Sequence, residues 1–343
     1  MPQNPLLAIC IPTYNRAECL RRCLESIIPE AAPYDVPIFI SDNSSTDSTP
    51  DLIKSMSKKY PYLHFNRNSS NEGYDRNLLK VVSETGTKYV WPIGDKHMVL
   101  PGSIPHILHI LDGKKYDILI INNSEVNGGA RCVRYRQQKV FYSAGDFFRD
   151  LGWHTDLIGS TIFPSEAWQG DYVKKYLGTS FIQVGVIFEY LARLPAPCIL
   201  FDPIPMTNIM TITSWWVNNP FKTFLYDWEK VINALPSLYP IKDKEFVIRA
   251  HMLNTGTFNF TNLYDLKRFG YFDYPTFLAY RDRLNKYSST NSVLASTISL
   301  MPRFIIKDAY MLKKLPLFKN RSVISALAIR LRLPFHRGRR SYS

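Results

Sequence analysis

Short apolar runs alternate with helix-like segments along the first 125 residues. Leu6–Ile11 is a continuous apolar run, which is typical of a strand buried on both faces of a parallel sheet. Further strands are predicted at Val36–Ser41, Tyr62–Phe65, Tyr89–Ile93 and Tyr116–Ile121. Amphipathic helices are predicted between them, at Ala17–Ile28, Thr49–Tyr60, Asp75–Glu84 and Ile104–Leu111. This alternation with short connections predicts an α/β fold, a mostly parallel sheet flanked by helices.

A polar cluster follows each of the first four predicted strands. The clusters are PTYNR after Ile11, DNSSTDS after Ser41, NEGYDRN after the third strand and GDKH after Ile93. In sheets of this kind, ligands bind at the carboxyl ends of the strands. We therefore expect the four clusters to meet at one edge of the sheet and to form a binding site there.

The pattern changes after residue 145, where helical and aromatic segments dominate. Arg131–Val140 is predicted to be extended and antiparallel, and Asp202–Ser214 to be a loop or an edge strand. A boundary near Thr213–Asn219 divides the chain into a ligand-binding domain, residues 1–215, and a helical C-terminal region, residues 216–343.

The formal net charge of +13 over 343 residues is unevenly distributed. Lys307–Arg340 interleaves basic residues with Leu, Ile and Phe, which suits a helix lying on an anionic membrane surface. A solvated helix with a disordered basic end explains the same pattern equally well. We do not expect nucleic-acid binding, because the basic residues concentrate in this tail and no nucleic-acid motif is present.

Five scattered cysteines fit reduced thiols better than a disulfide framework. The N-terminal apolar run is too short for a signal peptide, and no stretch is long enough to span a bilayer. These features predict a cytoplasmic protein, peripheral on the inner face of the cell membrane if the tail binds lipid.

Taken together, IPTYNR, SDNSSTDST, NEGYDRN and WPIGDKHMVLPG resemble family 2 glycosyltransferases. More narrowly, they resemble the abequosyltransferase-type enzymes that build bacterial O-antigen and capsule repeats. Past Asn123 the resemblance rests on segments such as GSTIFPSEAW (Gly159–Trp168). It implies an A-type glycosyltransferase fold and an inverting sugar transfer from a nucleotide-diphosphate sugar. The implied acceptor is a saccharide, here predicted to be an oligosaccharide linked to polyprenyl diphosphate.

The resemblance also implies a set of donor-binding residues. Pro12, Thr13 and Asn15 would line the nucleotide pocket, and Asp42 would accept a hydrogen bond from the base or ribose. The other implied contacts are Asn71 and Arg76 at the nucleoside, with Arg76 near phosphate, and Asp95 at the acidic motif. Each has a plainer alternative: Asp42 could only cap the next helix, and Arg76 could be a solvated charge.

The Asp-Lys-His sequence at residues 95–97 departs from the run of acidic residues usual in the family. Asp95 and His97 present an oxygen and a nitrogen ligand that suit Mn²⁺ or Mg²⁺. Alternatively, Lys96 partly neutralises the donor diphosphate, which weakens the need for a metal. We expect metal binding. A third interpretation is that the altered motif has abolished catalysis and left a protein that only binds nucleotides or glycans.

An inverting transfer requires a carboxylate base to deprotonate the acceptor hydroxyl. Asp156 in GWHTDLIGS is the first candidate, because aromatic and small residues surround it; Glu166 and Glu189 are alternatives. Tryptophans that could form sugar-stacking walls, or simply belong to the core, are Trp153, Trp168, Trp215 and Trp216.

Overall fold

Four parallel strands form the first part of the sheet, in the order β3-β2-β1-β4. They are β1 (Leu7–Thr13), β2 (Ile38–Asp42), β3 (Leu63–Arg67) and β4 (Tyr89–Pro92). Every residue of β1 is buried, as its continuous apolar run predicts. The connecting helices are α1 (Ala17–Ala31), α2 (Thr49–Ser57) and α3 (Tyr74–Ser83). The predicted strand–helix alternation is therefore confirmed, and element ends shift by a few residues.

The second part of the sheet makes it a mixed rather than a mostly parallel sheet. Its elements are β5 (His97–Val99), α4 (Ser103–Gly113), β6 (Ile118–Glu125), β7 (Lys139–Phe141), α5 (Ala144–Leu151), β8 (Thr161–Pro164), α6 (Ile182–Leu191) and β9 (Ile199–Ile209). Strand β8 is antiparallel to both β4 and β6, and it joins the two parts. Strand β9 runs parallel to β6 and antiparallel to β5 and β7. The prediction of a loop or edge strand from Asp202 was wrong, because β9 has partners on both sides.

The computed structural model describes residues 6–113, 116–125, 133–210, 219–303 and 305. After β9, a π-helix (Lys222–Asp227) leads directly into α7 (Trp228–Ala234), and α8 (Ile241–Thr255) follows. Three more helices come next: α9 (Phe260–Phe269), α10 (Tyr274–Tyr287) and α11 (Ser292–Leu300). Each of these three is capped by an Asn or Asp side chain that accepts a backbone N–H of the first turn.

The chain divides into two compact units, Met1–Thr255 and Gly256–Ser343. The first contains the whole sheet together with α7 and α8, and the second consists of helices in its described part. The helical C-terminal region is confirmed. The functional division at residue 215 stays a prediction. The boundary between the compact units lies at Thr255, 40 residues further along the chain.

The main hydrophobic core is formed by the sheet and by helices α1, α2 and α4, which pack against it. Ile9, Ile11 and Trp91 are fully buried there, with Leu20 and Ile27 from α1. The buried residues of α1 recur every three or four positions, so one face of the helix meets the sheet. Within the described residues, no helix combines the length and apolarity needed to cross a membrane.

Candidate active site

A cavity of about 760 Å³ opens at the carboxyl ends of β1 and β4. Its lining comes from six segments of the first unit: 12–16, 71–77, 94–97, 156–158, 177–183 and 222–224, together with Asn43. The first three segments carry motifs found in the sequence, and the last three come from the helical part. The polar clusters after β1, β3 and β4 therefore meet at one edge of the sheet, as expected.

Six of the eight predicted donor-binding residues line this cavity. They are Pro12, Thr13, Asn71, Arg76, Asp95 and Lys96. Arg76 is exposed, and its guanidinium has no hydrogen bond or ion pair to any residue that the structure describes. It is therefore a cation available to a ligand.

Asn15 and Asp42 are not among the residues that line the cavity. Asn15 adopts a left-handed conformation (φ 51°), and its Oδ1 accepts the backbone N–H of Thr46 at 2.7 Å. Asp42 is buried; its Oδ1 accepts the N–H of Ser45 at 3.0 Å, and Arg67 Nε lies 3.4 Å from its Oδ2. The Asn15 side chain therefore joins the loops after β1 and β2, and the Asp42 side chain joins the loop after β2 to the end of β3. Their predicted contacts with the donor stay predictions.

Asparagine side chains fix the loop before α3. Asn43 Nδ2 donates to Asn71 Oδ1 at 2.8 Å, and Asn43 Oδ1 accepts from Asn68 Nδ2 at 3.0 Å. Asn77 donates to the carbonyl of Ser41, the penultimate residue of β2, at 3.0 Å. Because buried amides hold their geometry when every partner is satisfied, this network presents Asn71 at a defined place in the cavity wall.

Asp95 is the carboxylate at the floor of the cavity. Thr13 Oγ1 donates to its Oδ2 at 3.0 Å, and Arg16 Nη1 lies 3.9 Å from its Oδ1. Burial raises the pKa of Asp95 to about 6, although Arg16, Thr13 and Lys96 pull in the opposite direction. Burial also lowers the pKa of Lys96, and the Arg16 charge adds to this effect.

His97 is fully buried, unlike Asp95. Its Nδ1 lies 3.2 Å from the carbonyl of Gly94, and its Nε2 is buried without a hydrogen-bond partner among the described residues. A Cβ on either Gly94 or Gly159 would come within 3.0 Å of the ring, so these glycines make room for it. Burial lowers the pKa of His97 to about 4, and the imidazole is therefore neutral at physiological pH.

Asp95 and His97, the two predicted metal ligands, both line the cavity. In the described part of the chain, no three His, Cys, Asp or Glu side chains come together as a metal site. The His97 ring is packed against Gly94 and Gly159, and its predicted role as a ligand stays a prediction. Asp95 does reach the cavity, and a single carboxylate can hold Mg²⁺ when substrate phosphates supply further ligands.

Of the three candidate bases, Asp156 alone reaches the cavity. Its Oδ2 lies 2.8 Å from Nε2 of His251. Glu166 accepts a hydrogen bond from the Tyr190 hydroxyl at 2.9 Å. Glu189 is buried against Lys175 and the hydroxyl of Tyr176, both at 2.8 Å from its Oε1. The structure thus brings Asp156 to the site and places the two glutamates elsewhere.

The predicted tryptophan walls are not found in the described residues. Trp153 donates its indole N–H to the carbonyl of Asp150, and Trp168 stacks on Phe163 in the core. Trp215 and Trp216 lie outside the described residues, as does the basic tail after residue 305.

Several cavity residues were missed by the sequence analysis. Arg16 and Tyr74 lie inside recognised motifs, which could have indicated them. Lys222 and Phe224 lie on the π-helix, and no sequence signal places that segment at the cavity. His251 lies behind Asp156, at a position of α8 whose spacing from Val247, Ile248 and Lys244 marks the buried face of the helix.

Residues 8–168 match the model of the family described as Glycosyl transferase family 2. Abequosyltransferase RfbV of Salmonella typhimurium is 30% identical over 204 residues, which make up 54% of this chain and 60% of that protein. Validoxylamine A glucosyltransferase of Streptomyces hygroscopicus subsp. limoneus is 44% identical over 52 residues, covering 15% of this chain and 12% of that protein. The chain thus spans less than two thirds of the length of either relative.

Solved structures of similar fold include S. aureus TarS 1-349. Its crystal structure has a TM-score of 0.57 at 12% identity and covers 91% of this chain and 93% of that chain. The same protein in complex with UDP has a TM-score of 0.58 at 11% identity, with the same coverage. Such low identities bear on the fold alone, and the fold is the A-type glycosyltransferase fold predicted from the motifs.

Proposed function

We propose that this protein is an inverting glycosyltransferase using a nucleotide-diphosphate sugar, because residues 8–168 match the model of glycosyl transferase family 2. One observation carries the proposal: three cationic side chains and a carboxylate held by histidine share a single cavity. Arg16, Arg76 and Lys96 suit a diphosphate, and Asp156 suits a hydroxyl that must lose its proton.

The donor occupies the part of the cavity at the strand ends. Thr13 and Asn71, which line the cavity, contact the nucleoside. Asp42, which lies next to the cavity residue Asn43, binds the base or ribose. Arg16, Arg76 and Lys96 neutralise the diphosphate with charges that the protein itself supplies. Asp95 would hold Mn²⁺ or Mg²⁺, which would supply further positive charge to the diphosphate when bound. Full transfer activity after chelation with EDTA would contradict that role.

The reaction is a single displacement at the anomeric carbon. Asp156 takes the proton of the acceptor hydroxyl, whose oxygen forms the new bond to that carbon. The bond from the carbon to the diphosphate oxygen breaks at the same time, and its electron pair leaves with the nucleoside diphosphate. Attack from the opposite face inverts the anomeric configuration.

The acceptor proposed here is a lipid-linked oligosaccharide of bacterial O-antigen or capsule, carried on polyprenyl diphosphate. The 30% identity to an abequosyltransferase supports this choice. The basic-apolar tail would hold the protein at the inner face of the cell membrane, near such an acceptor.

Donor identity is tested first by thermal shift with UDP-, CDP-, GDP- and dTDP-sugars. One TarS structure is a complex with UDP-GlcNAc, so that compound opens the screen. We expect one nucleotide class to raise the melting temperature, and we expect transfer from that sugar to a lipid-linked acceptor.

The substitution Asp156→Asn tests whether Asp156 is the general base of the transfer. The amide has nearly the same shape but accepts no proton, so we expect transfer to fall roughly 10²- to 10⁴-fold. Donor binding should be retained. Glu166→Gln serves as the matched control, since Glu166 lies away from the cavity. If the wild-type protein binds a donor and never transfers its sugar, it is a binding protein with this fold and the proposed function is wrong.

A further inference from the structure

His251 holds the carboxylate of Asp156 from a helix 95 residues further along the chain. The Nε2–Oδ2 distance is 2.8 Å, and the His251 side chain is completely buried. Its ring packs against Phe224, with ring centroids 5.5 Å apart and planes at 21°, and against Trp228, at 4.7 Å and 36°. The imidazole therefore has little freedom to turn, and its Nε2 has a fixed direction toward Asp156.

The surroundings of the ring assign its proton to Nε2. Within the described residues, Nδ1 is buried and has no hydrogen-bond partner. A proton on Nδ1 would thus be a buried donor without an acceptor, whereas a proton on Nε2 points at a carboxylate oxygen that accepts it. With the proton on Nε2, His251 donates a hydrogen bond to Oδ2 of Asp156, and this hydrogen bond orients the carboxylate.

The backbone of Asp156 is held as well. Gln183 Nε2 donates to the backbone carbonyl of Asp156 at 3.0 Å, and Gln183 belongs to the buried helix α6. Side chain and main chain are thus fixed from two different helices. Oδ1 is the carboxylate oxygen for which the described residues provide no hydrogen bond, so it is the oxygen available to a ligand in the cavity.

We propose that His251 is the positioning residue of the reaction, which orients Asp156 so that Oδ1 receives the acceptor proton. This inference rests on the proposed function. The proton passes from the acceptor hydroxyl to Oδ1, and the hydroxyl oxygen bonds to the anomeric carbon as the nucleoside diphosphate departs. His251 neither gains nor loses a proton, and it touches neither substrate.

Two amide substitutions separate positioning from packing. In His251→Gln the side-chain nitrogen takes nearly the place of Nε2, whereas in His251→Asn it takes the place of Nδ1 and falls short of Asp156. Both introduce an amide into the same aromatic pocket. We expect kcat to stay within about threefold of wild type for His251→Gln and to fall roughly 10- to 100-fold for His251→Asn, a part of what a general base contributes. KM for the donor and the donor-induced thermal shift should not change in either variant.

A double-mutant cycle gives the second readout. In the Asp156→Asn background, His251→Asn should lower kcat no further, because its effect passes through the missing base. If His251 only supports the fold, the loss should be the same in both backgrounds. Equal kcat for the Gln and Asn variants, or additive losses in the cycle, would overturn the inference.

The outcomes for the inference and for the proposed function are distinguishable. Absence of transfer by the wild-type protein refutes the proposed function and the inference with it. Transfer that survives Asp156→Asn refutes the choice of base. Transfer that is lost in Asp156→Asn but intact in His251→Asn refutes the role of His251 alone.

Discussion

Asp95 lines the cavity, where its charge is accessible to a ligand and lowers the free energy of unfolding of the ligand-free protein. Burial raises its pKa to about 6, so the folded state binds this proton more tightly than the unfolded chain, where the pKa is near 3.8. The penalty is small below about pH 4, grows as the pH rises toward 6, and then stays constant. At neutral pH it amounts to roughly 2–3 kcal/mol. Such a cost is common at functional sites, where activity and stability make opposite demands.

Asp95→Asn should therefore stabilise the free protein in a pH-dependent manner. We expect its advantage in free energy of unfolding to grow by about 2 kcal/mol between pH 4.5 and pH 7. Transfer should be strongly reduced, because the carboxylate at the floor of the cavity is lost. Urea titrations at several pH values measure the first effect. Asp51→Asn, at an exposed position of α2, is the control, and an advantage that does not vary with pH would contradict the argument.

A residue of the candidate site could be predicted from the sequence where a polar side chain directly follows a predicted strand. Thr13 and Asp95 each follow an apolar run, and the parallel order of β1 and β4 brings them into hydrogen-bond contact. His251 could not be predicted in the same way. A histidine on the buried face of a helix has no ligand or partner until the tertiary structure places Asp156 beside it.

Among the secondary-structure elements, β9 is the one for which the sequence pattern gave the wrong prediction. It contains Pro203 and Pro205, which normally indicate an edge strand or a loop because proline donates no backbone hydrogen bond. The sheet accommodates them through register shifts between β6 and β9 at Ile121–Asn123, so that the prolines lie at irregular positions of an interior strand. The earlier elements have uninterrupted apolar runs, and for this reason they could be predicted from the sequence.

Asp75 couples α3 to the start of α6. Its carboxylate accepts the backbone N–H groups of Thr179 at 2.9 Å, Ser180 at 3.0 Å and Ile182 at 3.3 Å. Burial raises its pKa, and these backbone hydrogen bonds oppose the rise. The segment they hold, 177–183, forms one side of the cavity. One buried carboxylate therefore fixes a loop whose own sequence contains little to order it.

Asp75→Asn should loosen this segment. The amide group turns at least one donor toward the backbone N–H groups, and we expect a loss of about 1–3 kcal/mol in the free energy of unfolding. Hydrogen exchange should become faster at the amides of 179, 180 and 182, and stay unchanged in β1. Asp171→Asn is the matched control, since that carboxylate is fully exposed. Unchanged exchange at the three amides would show that the loop is held by other contacts.

At the scale of the whole molecule, the two halves of the candidate site differ in how far they could be predicted. The proposed donor half is made by loops that directly follow β1 and β4, so the order of strands in a parallel sheet is enough to assemble it. The proposed acceptor half consists of 156–158, 177–183 and 222–224, which lie in irregular segments, at the start of α6 and on the π-helix. Their meeting depends on the packing of α6, α7 and α8, which sequence periodicity does not specify.

The C-terminal tail is predicted to bind the protein to anionic membranes. The segment after Leu315 carries seven Lys and Arg residues and no Asp or Glu, interleaved with apolar residues. Each basic residue near an anionic surface contributes about 1 kcal/mol, and the apolar residues add area that inserts between headgroups. Deleting residues 316–343 should therefore abolish sedimentation with vesicles of phosphatidylcholine and phosphatidylglycerol at physiological salt.

A variant that keeps residues 316–343 but has Arg330, Arg332, Arg337, Arg339 and Arg340 changed to Gln separates the effect of charge from that of apolar insertion. It should bind these vesicles weakly and respond little to salt, whereas wild-type binding should weaken steeply as salt rises. Transfer to a soluble saccharide acceptor should be unchanged in both variants, because the cavity lies in the unit Met1–Thr255. If the truncated protein still sediments with anionic vesicles, the membrane contact belongs to another surface and the proposed role of the tail is wrong.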